Sequence, residues 1–590
     1  MVFINLNDLF SKFRNAAQAN GAAGNTAGDP TGNFSRSGFN AGPKKPRKKL
    51  SKGKGIVVNL LAVLIIGFIY FYVTLPAINL HAPDFYFFVG MLCVLYCVCS
   101  LFLSGFGTNG QPQAIFQYIK SQCKIPALII IALVVIYAAG TLISMPIFRA
   151  AAYRDLLTVG EGDFAAEVEE ISYNEIPMLD EDSAQRLGDR QMGNLPDMVS
   201  QFEVSDDYTQ INYQGRPVRV ACLEYADLIK WFTNRSDGLP AYVLVDMATQ
   251  EASVVRLNEG VKYSTSEPLN RNISRHLRFH YPTYMFSQPT FEIDEEGQPW
   301  WICPRVVKRI GLFGGTDING AVLVNAVTGE SQYYPAEDIP SWVDRVYLAT
   351  LIMQQYDYYG TFVHGFINSI FGQRDVRVTT EGYNYIAMND DVYMYTGVTS
   401  ITSDSSNLGF LLSNQRTKET KYYPSPGATE QSAQVSAQGE VQDLKYTATF
   451  PLLLNIGGQP TYFMSLKDAN QLVKQYAMVN VAQYNVVGVG NTVAECERAY
   501  LTRLSQEGVD VENSIPADTV SGTVEEIRSA VMDGNTVYFL RLAGSGLFYT
   551  ISATENPQAV ILNVGDQVTI SFEPSEEQSS ILSGSTLEIY

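Results

Sequence analysis

The chain has 590 residues, room for about four folding units at roughly 150 residues each, and is 46% hydrophobic and 17% charged. That content excludes a wholly disordered chain, and a mean hydropathy of −0.01 is too polar for a protein lying mostly inside a membrane. The formal charge of −19 argues against general nucleic-acid binding, but it is unevenly divided: through Arg149 there are 13 Lys and Arg against 3 Asp and Glu, leaving 28 of the 41 basic and 57 of the 60 acidic residues beyond it.

Residues 1–55 read as a cytoplasmic tail. Phe3, Leu6, Phe10 and Phe13 recur at three- and four-residue spacings and give a short helix one apolar face. From Ala16 to Pro43 the chain is rich in Ala, Gly, Asn and Ser, too poor in large apolar groups to offset the entropy of ordering, and reads as a flexible tether. Lys44, Lys45, Arg47, Lys48, Lys49, Lys52 and Lys54 follow.

Residues 56–148 contain three apolar stretches: Ile56 to Leu80, Phe85 to Leu103 and Ile125 to Phe148. Each is long enough to cross a hydrocarbon core of about 30 Å as a helix, and the first starts too far into the chain to be a cleaved signal. The basic run before the first stretch keeps that end inside and suits anionic lipid. His81 to Asp84 has no Lys or Arg, whereas Lys120 and Lys124 mark the next loop as inside. Three crossings then place everything after Arg149 outside.

Residues 149–515 read as β-dominated α+β, with Tyr-rich alternating segments broken by Gly, Pro, Asn and Asp. Tyr242 to Val255, Ala321 to Tyr334 and Phe410 to Tyr423 have one hairpin pattern in common: an apolar strand, an Asp or Asn, a turn and a second strand. The turn chemistry of Asp246, Asn325 and Gly329 accounts for much of the match. Gly-x-Pro recurs at Gly215, Gly238, Gly297 and Gly458 ahead of extended chain. Ser341 to Phe371 predicts a helical pair in the core or a membrane-facing or partner-facing aromatic surface. Ser465 to Met478 and Thr492 to Leu504 predict amphipathic helices, the latter capped by Thr492.

Residues 516–590 predict a small β-barrel, with a strand from Gly522, a turn at Asp533-Gly534, a strand over Asn535 to Leu542 and a turn-strand unit over Val564 to Phe572. It resembles an OB-like barrel. Glu525, Glu526, Asp533, Glu555, Asp566 and Glu573 oppose a nucleic-acid groove.

The hairpin of Val324, Asn325, Ala326, Thr328, Gly329 and Glu330, with Val245, Asp246, Thr249 and Glu251 as a second copy and a degenerate one at Ser413, resembles that of PepSY-type repeats, as does the lead-in from Gly297 to Trp300. The resemblance implies an extracytoplasmic binding or inhibitory module rather than a catalyst.

The chemistry-bearing motifs are sparse. His276 and His280 can share a helix face, but no HExxH glutamate lies between them, and a solvated basic segment is the plainer expectation. The seven cysteines do not form a disulfide framework, as suits a bacterial envelope that does not rely on oxidative stapling. Neither a cofactor nor a metal is expected. The expected protein is thus α+β: a three-helix transmembrane anchor, an extracytoplasmic array of β-rich repeated modules, and a small C-terminal barrel. Its expected role is binding, scaffolding or regulation, with membrane lipid and a membrane or envelope protein as partners and no nucleic acid; Trp300, Trp301 and Trp342 are the candidate binding residues. One alternative is an envelope hydrolase acting on peptide or glycan, using Asp390 and Asp391 or Glu295 and Glu296. The other is an accessory transporter subunit, packing through small residues such as Gly67 and Gly140.

Overall fold

The computed structural model describes residues 52–104, 112–168, 170, 176–388, 390–401, 403–509, 518–532, 535–554, 556–572 and 581–589. The N-terminal amphipathic segment, the tether, the basic run through Lys49 and the Asp533-Gly534 turn lie outside them. At the N-terminal end stand three helices long and apolar enough to cross a membrane, α1 (Lys52–Thr74), α2 (Pro83–Leu103) and α3 (Pro112–Ile143). Their apolar windows have mean hydropathies of 2.6, 2.3 and 2.5. Buried polar pairs join them: Asn59 Nδ2 donates to Ser100 Oγ at 2.6 Å, and Tyr96 donates to Gln122 at 3.0 Å.

The helix limits differ from the apolar stretches for local reasons. Helix α1 stops at Thr74 rather than Leu80, because Pro76 cannot continue it and Leu75 ahead of that proline takes a φ of 49°. Helix α3 starts well before Ile125, so Lys120 and Lys124 sit on the helix and not in a loop. It ends at Ile143, where Ser144 and Met145 break the chain and Pro146 occupies the first turn of α4 (Pro146–Arg154). The small residues serve contacts within the chain: Gly67 faces Leu92 of α2, and Gly140 faces Leu312 and Phe313.

After strand β1 (Val159–Glu161) and helix α5 (Glu181–Gly193), the chain builds a β-rich region of four open sheets. The first holds β2 (Phe202–Val204), β3 (Thr209–Tyr213), β4 (Arg216–Tyr225), β5 (Leu239–Asp246) and β6 (Ala252–Val261), with α6 (Leu228–Asn234) between β4 and β5. Helix α7 (Ile273–His280) precedes the second sheet: β7 (Met285–Phe286), β8 (Thr290–Ile293), β9 (Pro299–Ile310), β10 (Gly314–Asn325) and β11 (Ser331–Pro335). Helices α8 (Ala349–Thr361) and α9 (Gly365–Ile367) precede the third: β12 (Arg377–Thr379), β13 (Asn384–Met388), β14 (Asp391–Ser400), β15 (Ser403–Asn414) and β16 (Thr420–Gly427), which β1 joins in parallel. Helix α10 (Glu430–Glu440) precedes the fourth: β17 (Thr447–Ala448), β18 (Leu452–Ile456), β19 (Gln459–Lys467), β20 (Val473–Asn480) and β21 (Val487–Gly490). In each, the first two short strands pair with the third, which continues antiparallel through the fourth to the fifth.

The long hairpins close on one turn chemistry. Asp246 accepts from the backbone N–H of Ala248 and Thr249, Asn325 from Val327 and Thr328, and Asn414 from Arg416 and Thr417, all at 2.8–3.0 Å. A left-handed residue completes each turn: Gln250, Gly329 and Lys418 have φ of 62°, 77° and 67°. The fourth sheet has the same device one residue shorter, with Asp468 accepting from Asn470 and Leu472 and Gln471 at φ 63°. This corrects the helix expected over Ser465 to Met478. Its helical spacing of apolar residues comes from the end of β19 and the start of β20 flanking an Asx turn. The Thr492 helix does form, as α11 (Val493–Gln506), with Thr492 Oγ1 accepting from Glu495 N at 3.1 Å. Of the Gly-x-Pro sites, those at Gly215, Gly297 and Gly458 join the second and third strands of a sheet, whereas Gly238 starts β5.

Strand alternation decides which sheets share a core. On β9 and β10, Trp301, Cys303, Val322 and Val324 pack against the first sheet, while Ile302, Ala321 and Leu323 pack toward the third with Ile352 and Tyr356 of α8. On β14 and β15, Met394 and Leu411 belong to that same core, while Tyr395, Phe410 and Leu412 face Tyr462, Met464 and Met478 of the fourth sheet. Within Ser341 to Phe371 the helix starts only at Ala349. Gly360 remains inside it where Arg377 of β12 passes close by, and Gly365, at φ 83°, breaks it. The last unit is a closed barrel in the order β22 (Asp518–Met532), β23 (Asn535–Leu542), β24 (Phe548–Ser552), β26 (Ile581–Ile589), β25 (Gln567–Phe572), filled by Val524, Leu540, Ile551, Val568 and Ile570.

Candidate functional site

The densest set of buried charges lies where the first three sheets meet. Glu292, on β8, points its carboxylate at the chain ahead of α8 and accepts from the backbone N–H of Asp344 at 2.9 Å and Arg345 at 3.1 Å. Asp344 in turn accepts from Asn212 N of β3 at 2.7 Å, while its other oxygen is buried with no hydrogen-bond partner. Burial, relieved only in part by those backbone donors, raises Glu292 to about 7; burial and the neighbouring Glu292 carboxylate push Asp344 well above the usual carboxylate range. Asp391 is held by Arg416 through two 2.7 Å bonds and by Asn414 at 2.8 Å. Arg219, buried, donates to Tyr208 O and Gln210, and burial lowers its pKa.

One side of this junction opens into a cavity of about 280 Å³ lined by the first two sheets together with α5, the chain around the start of α8 and the residue ahead of β13, including Glu181, Asp207, Phe291, Trp301, Arg345 and Tyr383. Arg345 donates to Tyr385 OH at 3.0 Å, and its Nε is buried without a partner. A cation beside two acids on an aromatic floor suits a small polar ligand with both charges. On the other side, burial and Asp390 raise Glu295. Of the two acidic pairs singled out in the sequence, only Glu295 and Asp390 therefore come near one another. Asp391 is tied up by Arg416, and Asp390 accepts from Asn212 at 3.2 Å.

The tryptophans divide by strand face. Trp301 is a core residue, 5% exposed, whose indole N–H donates to Tyr263 O at 2.8 Å; only its cavity edge is open to a ligand. Trp300 points the opposite way, donates to Asp294 at 2.9 Å and packs against Trp342 with ring centroids 5.7 Å apart, both half-buried. No family model and no curated protein matches the chain.

His276 and His280 do share a face of α7, with rings 4.2 Å apart. His276 is buried, and burial followed by His280 lowers it to about 4. No group of three metal-binding side chains occurs among the described residues. The expectation of a solvated basic segment is corrected here, because the arginines of α7 are consumed by the end of helix α1. Arg278 donates to Leu75 O at 2.9 Å, Pro282 O at 3.2 Å and Tyr284 O at 2.6 Å, and burial lowers it to about 10, so it stays cationic at neutral pH. Arg275 lies over the Tyr72 ring at 4.2 Å and reaches Tyr72 O and Leu269 O. Helix α3 is held as firmly: Ser144 Oγ accepts from Leu312 N and Phe313 N at 3.0 Å each, and Phe313 packs on Tyr137 and Tyr86. Sequence spacing gave no hint of these contacts, since they join residues about 200 apart.

The acid pair sets a pH dependence. A carboxyl raised by folding contributes most below its unfolded value near 4 and loses that contribution as pH climbs through its folded value. The protein should therefore lose stability as pH rises from about 4 to about 7, with Asp344 continuing the decline above that. The variant D344N, which keeps an acceptor for Asn212, should flatten that decline and exceed the native chain at pH 8 by about 1–2 kcal/mol; thermal unfolding at pH 5 and pH 8 reads this directly.

Proposed function

We propose that this is a multi-pass protein of the cell membrane and cell envelope, with its N-terminus in the cytoplasm and its β-rich region outside as a binding and scaffolding platform. The observation that carries this reading is the seat. The end of α1 is hydrogen-bonded to helix α7 through Arg275 and Arg278, and the end of α3 to the turn between β9 and β10 through Ser144, rather than joined to the β-rich region by a loose linker. A platform fixed to its anchor holds its surfaces at set heights above the bilayer, which suits a partner that is itself in the membrane or envelope. The four sheets of matching strand order and turn chemistry are, in this reading, copies of one module related to PepSY-type repeats, and the terminal unit is an OB-like barrel presented beyond them. Large shared cores between successive sheets make such an array stiff.

Trp300 and Trp342 form the partner-facing aromatic stack, and the cavity beside Arg345 takes a small polar ligand. With the photoreactive residue p-benzoyl-phenylalanine at position 342, irradiation of whole cells should give one discrete cross-linked species. The same residue at Leu444, exposed beside the fourth sheet, should give none. Absence of any adduct at 342 would remove the binding role from this face.

A further inference from the structure

We infer that two apolar segments of the β-rich region, one beside the end of α1 and one beside the end of α3, insert into the lipid interface as feet on either flank of the helix bundle. This rests on reading α1, α2 and α3 as membrane spans. The first foot is the segment from Gly365 through the π-helical turn Asn368–Gly372, which presents Ile367, Ile370 and Phe371 at 75%, 52% and 84% exposure. Its place follows from a chain of contacts starting at α3. Tyr153 of α4 donates to Ser144 O at 2.6 Å, its ring meets Phe362 at 6.4 Å, and Phe362 stacks on Phe366 at 6.3 Å. Ile147 and Phe148 of α4 are exposed as well and extend the apolar surface from the end of α3.

The second foot is α6, with Leu228, Ile229 and Phe232 all at least 60% exposed. It is tied to the loop ahead of α7 by Trp231 Nε1 donating to Glu267 at 2.7 Å and by Arg271 donating to Arg235 O at 2.8 Å. That loop is tied to α1, because Tyr72 OH donates to Asn270 at 3.1 Å and Leu269, itself exposed, receives Arg275. Helices α1 and α3 each pack on α2, so the feet stand beside the two outer helices.

Charge selects lipid as the occupant. Beyond Arg149 the chain carries 57 acidic residues, yet neither Gly365 to Gln373 nor Leu228 to Asn234 contains one. Cations stand at both feet: Arg149 and Arg374 at the first, where Asp375 pairs with Arg374 at 3.4 Å and with His364 at 2.8 Å, and Lys230 and Arg235 at the second, where Asp227 is spent capping α6 and Arg235 lies over the Phe232 ring at 4.4 Å. Aromatic and aliphatic side chains without an acid among them, flanked by cations and by acids already paired or capping, are the composition of interfacial segments, which sink about 5–10 Å into the headgroup and acyl boundary. Helices ending alongside bring that boundary to every copy of the protein, whereas a second copy would have to match both patches at once.

The test uses the full chain reconstituted in phosphatidylcholine and phosphatidylglycerol vesicles, with and without acyl-brominated lipid. I370W and I229W are compared with V435W, an exposed position on α10. The fluorescence added over the native chain by I370W and I229W should be blue-shifted and quenched by brominated lipid about twofold or more beyond that of V435W. Quenching no greater than for V435W overturns the inference; if the emission is nonetheless blue-shifted and varies with protein density in the vesicle, a second copy covers the patch instead. A chain that does not enter the vesicles at all overturns the reading of the spans as well, and so separates the two failures.

Discussion

R278A should lower the unfolding free energy of the protein in detergent by about 3 kcal/mol and expose the connection between α1 and α2 to protease. Leu75 O and Tyr284 O take their bonds from this one buried guanidinium, whereas Pro282 O also accepts from Ile78 N at 2.8 Å, and a buried acceptor left without a donor costs about 1–3 kcal/mol. Arg278 also faces the last turn of α1, where the helix dipole favours a cation. R278K, a point charge without the planar fork, should recover part of the loss and not all of it. Thermal unfolding of the three proteins, together with limited proteolysis, checks this. An R278A protein as stable and as protease-resistant as the native chain would show that the seat contributes nothing.

K418G should destabilise by about 2–3 kcal/mol, against the direction that its backbone alone dictates. At φ 67° a lysine costs about 1 kcal/mol relative to glycine, so a turn argument predicts a gain. The side chain reverses the sign. Lys418 Nζ reaches from the third sheet to Asp317 of the second at 2.7 Å and to Leu156 O at 3.1 Å, and the pair is largely buried, with side chains 14% and 12% exposed. Asp317 also accepts from Arg309 at 3.1 Å and Gln355 at 3.3 Å. Gln471 supplies the control, since it has the same left-handed backbone at φ 63° in the fourth hairpin without such a bridge; Q471G should stabilise by about 0.5–1 kcal/mol. Chemical denaturation of both variants reads the two signs, and a gain in K418G would remove the bridge from the account.

These two residues show what the sequence could and could not disclose. The apolar helices were legible because hydropathy over about 20 residues is a local property; their C-terminal ends shifted where Pro76 and Pro146 intervene, and the start of α3 was missed because its polar first turns, through Lys120 and Lys124, carry no apolar signal. The hairpins at Asp246, Asn325 and Asn414 were legible through Asx-turn chemistry, even though a lysine stands where Gly329 does. The fourth was missed because Asp468, Asn470 and Gln471 form a turn one residue shorter, and the flanking apolar residues mimic a helix. Trp300 and Trp301 were visible as a pair, but which of them faces the first sheet follows from strand phase relative to neighbours far along the chain. The acid pair Glu292 and Asp344 had no signal at all. Neither lies in a motif, and they meet only because β8 and the chain ahead of α8 pack together.

The most direct test of the account is the side of the membrane on which the β-rich region stands. With a cysteine at Val435, exposed on α10, a membrane-impermeant maleimide should label intact cells, while a cysteine at Ser35 in the N-terminal tail should react only after permeabilisation. Labelling of Ser35→Cys in intact cells, with Val435→Cys protected until the membrane is opened, would contradict it.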